Sequence, residues 1–316
     1  MGLRMDRELL AALRRSGPMG EPGPAVGDVE SRRKNLTAGM AGVAASREPV
    51  PGIERTDVSI ATADGAELRL SVYSSAMGDA PASAVLYLHG GGFIVPLLPI
   101  YDGLMRNYTK RTGVPMVLVD YRVAPEYPHP IPIEDCYTAL CWLADNATEL
   151  GVDLDRIAVM GESAGGGLAA GVALLARDRG GPALAQQLLI YAMLDDRTTG
   201  PDPQLPPEYL VFSYDDNRTG WAALLGAQWP RDDVSPYASP ARAPDLSGLP
   251  ATYIDVGDLD ILRDESIEYA RRLMAAGIPT ELHVIPGLPH GFDMLAPDAV
   301  VTQRVIETRL RRLKLL

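Results

Sequence analysis

From residue 55 onward, short apolar runs alternate with segments of helical periodicity, and that rhythm admits few architectures. Two alternating segments, residues 56–62 and 67–73, flank the turn Asp64-Gly65 and read as a β-hairpin. Further runs follow at residues 84–88, 115–119, 157–160, 188–193, 251–256 and 281–285. Candidate helices lie between them. One carries Tyr101, Leu104, Met105 and Tyr108 at core spacing. Another begins near Pro132, where proline suits a first helical turn. Others cover residues 164–177, 264–276 and roughly 297–315. The alternation predicts an α/β fold with an eight-stranded, mainly parallel sheet covered on both faces, the hairpin adding antiparallel strands at one edge. Ligands on such a sheet bind beyond the carboxyl ends of its strands, so the chemical residues should fall there.

Two regions break the rhythm. Met5, Leu9 and Leu13 share one helical face, which Gly17 should end. A Pro/Gly-rich stretch with Pro18, Pro22 and Pro24 follows, then a polar, Ala-rich segment to about Pro51. Residues 1–50 therefore read as an N-terminal cap segment appended to a main domain at 51–316. Residues 198–250 are rich in Pro, Asp and aromatics, among them Tyr209, Phe212, Trp221 and Trp229, and are too long for a plain loop. Their first part, about 198–230, should be a helical insertion packed over the site with the N-terminal segment.

Charge and cysteines narrow the partners. The formal charge of −12 repels phosphate backbones, which argues against nucleic acid. Cys136 and Cys141 lie five apart in one expected helix, so they face different ways and should not pair. They read as small apolar residues in a reducing compartment. No stretch is apolar and long enough to span a bilayer. Residues 1–17 are too charged for a signal peptide, and Asp6 stands where a myristoylation motif needs Ser or Thr. The expectation is a cytoplasmic protein without stable membrane insertion.

The strongest chemical signal is Gly161-Glu162-Ser163-Ala164-Gly165-Gly166, placed between an apolar run and a helix. A Gly-x-Ser-x-Gly segment in that strand–turn–helix setting forms a nucleophile elbow: the glycines permit a tight turn, and the turn pushes the serine out above the sheet. The helix start then aims free N–H groups at the place where negative charge will form. The second signal is His89-Gly90-Gly91-Gly92-Phe93, at the end of the run 84–88. Consecutive glycines expose backbone donors, so Gly91, Gly92 and Ala164 are candidates for an oxyanion hole, with His89 and Gly90 supporting the loop. A phosphate-cradling loop is the competing reading, but neither GxxxxGK[ST] nor GxGxxG is present here.

A base must deprotonate Ser163. His89 belongs to the glycine loop, His129 sits between Pro128 and Pro130, and His283 lies inside a strand. His290 follows the last strand, at the right end of the sheet, and is the candidate base. The acid that orients it should follow the run 251–256, where Asp255, Asp258, Asp260 and Asp264 stand. Asp255 is still in the strand and Asp264 should cap or start a helix; spacing alone does not separate Asp258 from Asp260.

With these motifs in order, the sequence resembles the hormone-sensitive-lipase-like branch of the α/β-hydrolases, the bacterial carboxylesterases with a His-Gly-Gly-Gly loop. The resemblance covers roughly residues 51–316. It is supported by Asp120-Tyr121-Arg122-Val123-Ala124-Pro125-Glu126, by His129-Pro130 with Glu134-Asp135, by Asp260-Ile261-Leu262-Arg263-Asp264-Glu265 and by His290-Gly291-Phe292. It implies Asp260 as the catalytic acid, an α/β-hydrolase fold with a helical cap, and a carboxylic ester hydrolase acting on short- to medium-chain esters. It also implies a homodimer through the last strand and helix. The chain departs from the family at Glu162, Gly167 and Ala192 and in the charged strand Ile254-Asp255-Val256, which bears on substrate preference rather than reaction type. The implied chemistry needs no metal and no organic cofactor, and its partner is a small-molecule ester. Lactone or amide hydrolysis by the same triad is the alternative. A non-catalytic receptor of this fold is another, although its relatives replace the histidine that this chain keeps.

Overall fold

The computed structural model describes residues 2–16, 23–45, 49–75, 82–227 and 229–316. Gly17, Pro18 and Pro22 lie outside the described residues. The described strands are β1 (Glu54–Ala61), β2 (Glu67–Ser74), β3 (Ala82–Leu88), β4 (Met116–Asp120), β5 (Val152–Glu162), β6 (Gln186–Ile190), β7 (Ala251–Gly257) and β8 (Thr280–Ile285). They form one eight-stranded sheet in the order β1-β2-β4-β3-β5-β6-β7-β8. The hairpin pairs β1 with β2 and brings β2 antiparallel to β4; every later pairing is parallel. Among the described strands β2 alone therefore runs against the rest. The expected α/β-hydrolase sheet is present.

The helices are α1 (Arg7–Ser16), α2 (Val29–Ala45), α3 (Ile100–Thr112), α4 (Ile131–Asp145), α5 (Ala164–Arg179), α6 (Tyr214–Leu225), α7 (Arg263–Ala275), α8 (Phe292–Leu295) and α9 (Val300–Lys314). Period-two alternation divides the core between the two faces of the sheet. Leu86 and Leu88 of β3 and Val117 and Val119 of β4 join one cluster with α4, α5 and α7. Val85 and Tyr87, with Met116 and Leu118, join the other with α1, α3 and α9. The central strands are buried on both faces, which is why they read as continuous apolar runs.

Some boundaries move. The run 188–193 is not all strand: β6 ends at Ile190, and Tyr191 takes a positive φ of 34° that turns the chain away. The last helix, expected over roughly 297–315, is α9 and starts at Val300, with the short α8 ending before it at Leu295. Cys136 and Cys141 are both free thiols in α4, as their spacing predicted. The N-terminal residues are less of an appendage than their composition suggests. Leu9 is fully buried, the Asp6 amide donates to the Gly287 carbonyl at 2.9 Å, and Arg32 of α2 bonds Asp216 of α6 at 2.8 Å. No helix among the described residues is long and apolar enough to cross a membrane.

Candidate active site

The carboxyl ends of β3, β5, β7 and β8 converge, and each delivers one part of the site. β5 runs into Ser163, whose φ of 53° and ψ of −122° mark a strained turn between strand and helix. The neighbouring glycines are sterically obligatory. A methyl group at Gly161 would lie 2.2 Å from the Gly165 carbonyl oxygen, and one at Gly165 would lie 2.1 Å from that of Leu88. The elbow is braced from β6: the Ser163 amide donates to the Ile190 carbonyl at 2.9 Å, and the Met193 amide donates to the Ser163 carbonyl at 2.9 Å.

The loop after β8 places His290 beside this elbow, with its Nε2 2.9 Å from the Ser163 hydroxyl oxygen. Its Nδ1 lies 2.7 Å from Asp260. A carboxylate only accepts, so Nδ1 carries the proton and Nε2 is left to accept from the serine. The second Asp260 oxygen accepts from the Leu262 amide at 2.9 Å, which fixes the carboxylate on its own loop. All three side chains are buried. The two loop aspartates that spacing could not separate have different tasks: Asp258 instead accepts from the Gly287 amide at 2.7 Å and pins the loop that leads to His290. Asp264 lies in the first turn of α7, as expected. Asp255 turns to the other side, toward Arg309.

Beyond β3 the glycine loop folds back with φ of 127° at Gly91 and 59° at Gly92, values open to glycine. The Gly91 carbonyl accepts from the amides of Ile94 and Val95. Among the described residues, the amides of Gly91, Gly92 and Ala164 donate to no protein acceptor. His89 lies beneath this loop. Its Nδ1 contacts the Gly90 carbonyl at 2.8 Å, its ring stacks on Tyr121 at 4.2 Å, and Tyr121 donates to its carbonyl at 2.7 Å. Burial lowers its pKa to about 4, so it stays neutral and shapes the loop.

Several side chains of the site carried no local signal. Phe212, in the insertion, stacks on the His290 ring with centroids 4.8 Å apart, and Tyr191 packs edge-on against the same ring at 4.8 Å. The Tyr191 hydroxyl donates to Asp293 at 2.6 Å, and Asp293 also accepts from Arg309 of α9. Burial opposes ionisation of Asp293, but Arg309 and the Tyr191 hydroxyl outweigh it and hold its carboxyl below the usual range. Glu162, next to Ser163, is bonded by Tyr87 and Tyr101. Burial and the charge of Asp293 push its pKa up to about 7. The other histidines keep to their expected places: His283 contacts Glu281 at 2.8 Å within β8, and His129 precedes α4. Periodicity predicted Tyr101 as buried; only its hydroxyl, a polar group needing a partner in the core, hinted at more.

Comparison with known proteins gives the chain's family and its similar proteins. Residues 85–294 match a family described by its alpha/beta hydrolase fold. Esterase LipI of Mycobacterium tuberculosis is 41% identical over 219 residues, which span 67% of this chain and 66% of that protein, just under two thirds of its length. Carboxylesterase NlhH of the same organism is 41% identical over 231 residues, 68% of this chain and 69% of that one. A solved structure titled bacterial heroin esterase superposes with a TM-score of 0.89 at 36% identity, covering 98% of this chain and 97% of that one.

Proposed function

This chain belongs to the alpha/beta hydrolase family, in its hormone-sensitive-lipase-like branch, and from that premise we propose how it acts as a serine carboxylesterase. It hydrolyses carboxylic esters of small molecules. Ser163 is the nucleophile, His290 the general base and Asp260 the residue that orients the imidazole. The observation that carries this assignment is the continuous hydrogen-bonded path from Ser163 through His290 to Asp260. As Ser163 attacks the ester carbonyl, its proton passes to His290 Nε2, and Asp260 stabilises the resulting imidazolium. The amides of Gly91, Gly92 and Ala164 receive the oxyanion. His290 then gives its proton to the leaving alcohol, and water releases the acid from Ser163 by the same steps.

Residues 1–50 and about 198–230 act as a cap over this site. Two contacts support that reading: Arg33 of α2 donates to the Ile94 carbonyl at 2.6 Å, and the Phe212 ring covers His290. The apolar ring favours short- to medium-chain acyl groups. Our reading puts the chain in the cytoplasm, in keeping with its free thiols, and pairs it with a second copy through the last strand, β8, which stands at the edge of the sheet, and the last helix, α9. Light scattering of the purified protein tests that pairing.

The activity assignment is tested with Ser163→Ala on aryl esters of graded acyl length, with lactones and amides run beside them. Ester turnover should fall by several orders of magnitude while the far-UV circular dichroism stays unchanged. Turnover equal to the parent protein's would overturn the assignment of the nucleophile.

A further inference from the structure

The residue before the nucleophile is a carboxyl group buried without a bonded cation among the described residues. Glu162 is 4% exposed. One of its oxygens accepts from Tyr87 at 2.9 Å and the other from Tyr101 at 2.5 Å. The two hydroxyls differ in one respect. The Tyr101 oxygen also accepts from the backbone N–H of Gly90, at 2.9 Å. A phenol has a single proton, and giving it to Glu162 turns a lone pair toward Gly90. When Glu162 is ionised it can only accept, and bonds to ionised acceptors are short and strong, so the carboxylate then fixes the direction of the hydroxyl.

This path joins the two segments whose spacing decides the chemistry. Glu162 is the last residue of β5 and precedes Ser163, while Gly90 precedes Gly91 and Gly92. Glycines at positive φ hold their positions weakly by themselves, because many backbone conformations are open to them. The loop is also tightly enclosed at its near end, where a methyl group at Gly90 would meet the Glu162 carbonyl oxygen at 3.2 Å. We propose that Tyr101, aimed by Glu162, is a positioning residue that anchors Gly90 and so sets the reach of the Gly91 and Gly92 amides toward the nucleophile. The inference rests on the assignment of Ser163 and of those amides made above. Donors held in place before the reaction cost no reorganisation during it, so loosening them reduces kcat more than it weakens substrate binding.

Tyr87 supplies the control, since it bonds the same carboxyl from an equally buried ring but does not reach Gly90. Tyr101→Phe should lower kcat on an aryl acetate by roughly 10- to 100-fold with KM within about twofold. It should weaken binding of an aryl trifluoromethyl ketone by a similar factor. That probe forms a bond from the Ser163 oxygen to its carbonyl carbon, passes the serine proton to His290 and leaves a tetrahedral oxyanion for the same amides. Tyr87→Phe should leave kcat and the ketone affinity within about threefold of the parent. Equal losses in the two variants, or a Tyr101→Phe enzyme with parental kcat, would overturn the inference. If Tyr101→Phe does not fold, amide hydrogen exchange in the unaltered protein decides: strong protection of Gly90 supports the anchor, and exchange at the rate of an exposed amide refutes it. An active Ser163→Ala would instead refute the underlying assignment, so the two failures are distinguishable.

Discussion

Arg309 of α9 donates to both carboxylate oxygens of Asp255 in β7, at 2.6 and 2.8 Å, with neither side chain exposed to solvent. It donates to Asp293 as well, so one guanidinium holds two buried carboxylates and ties the last helix to the loop of His290. Removing it strands both negative charges in the interior. Arg309→Met should destabilise the protein by about 3–5 kcal/mol in urea unfolding. Adding Asp255→Asn to that variant should recover part of the loss. A single-variant loss below about 1 kcal/mol would show that the pair is not the tie described.

Asp260 holds the imidazole proton on Nδ1, and an amide at that position can present a donor and favour the wrong tautomer. Asp260→Asn should therefore reduce kcat by roughly 10³–10⁴ with little change in the unfolding midpoint. Asp258→Asn should cost far less activity, because Asp258 meets the Gly287 amide and not the imidazole. Steady-state kinetics on one aryl ester compares the two, and equal losses would count against Asp260 as the orienting acid.

Phe212 stacks on His290, and a methyl group at Gly92 would lie 4.0 Å from its ring. The ring thus lies between the His290 imidazole and the glycine loop. Phe212→Ala should raise the ratio of kcat/KM for hexanoyl over acetyl esters by about tenfold, the scale of one methylene-sized change in an apolar pocket. An unchanged ratio would place the limit on acyl length elsewhere.

His89 is fully buried and neutral, with a folded pKa near 4 against an ordinary 6.5. The unfolded chain therefore binds a proton that the folded chain refuses as pH falls below about 6.5. The stability linked to His89 is fully present above that value and is lost progressively as pH falls toward about 4, about 3 kcal/mol in all. His89→Asn removes the titrating group, so its stability should fall less steeply over the same range. Urea midpoints at pH 4.5, 5.5 and 6.5 compare the slopes, and parallel slopes would mean that His89 titrates normally.

The sheet, the elbow and the glycine loop are legible in the chain alone. Each is written in neighbouring residues: apolar runs spaced by helices, glycines that alone clear a tight turn, and consecutive glycines that expose backbone donors. His290 could also be read, because its three competitors lie in the wrong places along the chain. Pairs far apart in sequence become legible only once the chain is folded. Asp258 and Asp260 are alike until the loop after β8 arrives, and then one meets a backbone amide and the other an imidazole. Glu162 acquires its meaning from Tyr87 and Tyr101, and Asp255 from Arg309, 54 residues later. The covering of His290 by Phe212 likewise depends on how the insertion folds back. Buried polar groups must find partners, but periodicity records only that a residue is buried, while the identity of its partner is set by which strand ends and helices the folded chain brings together.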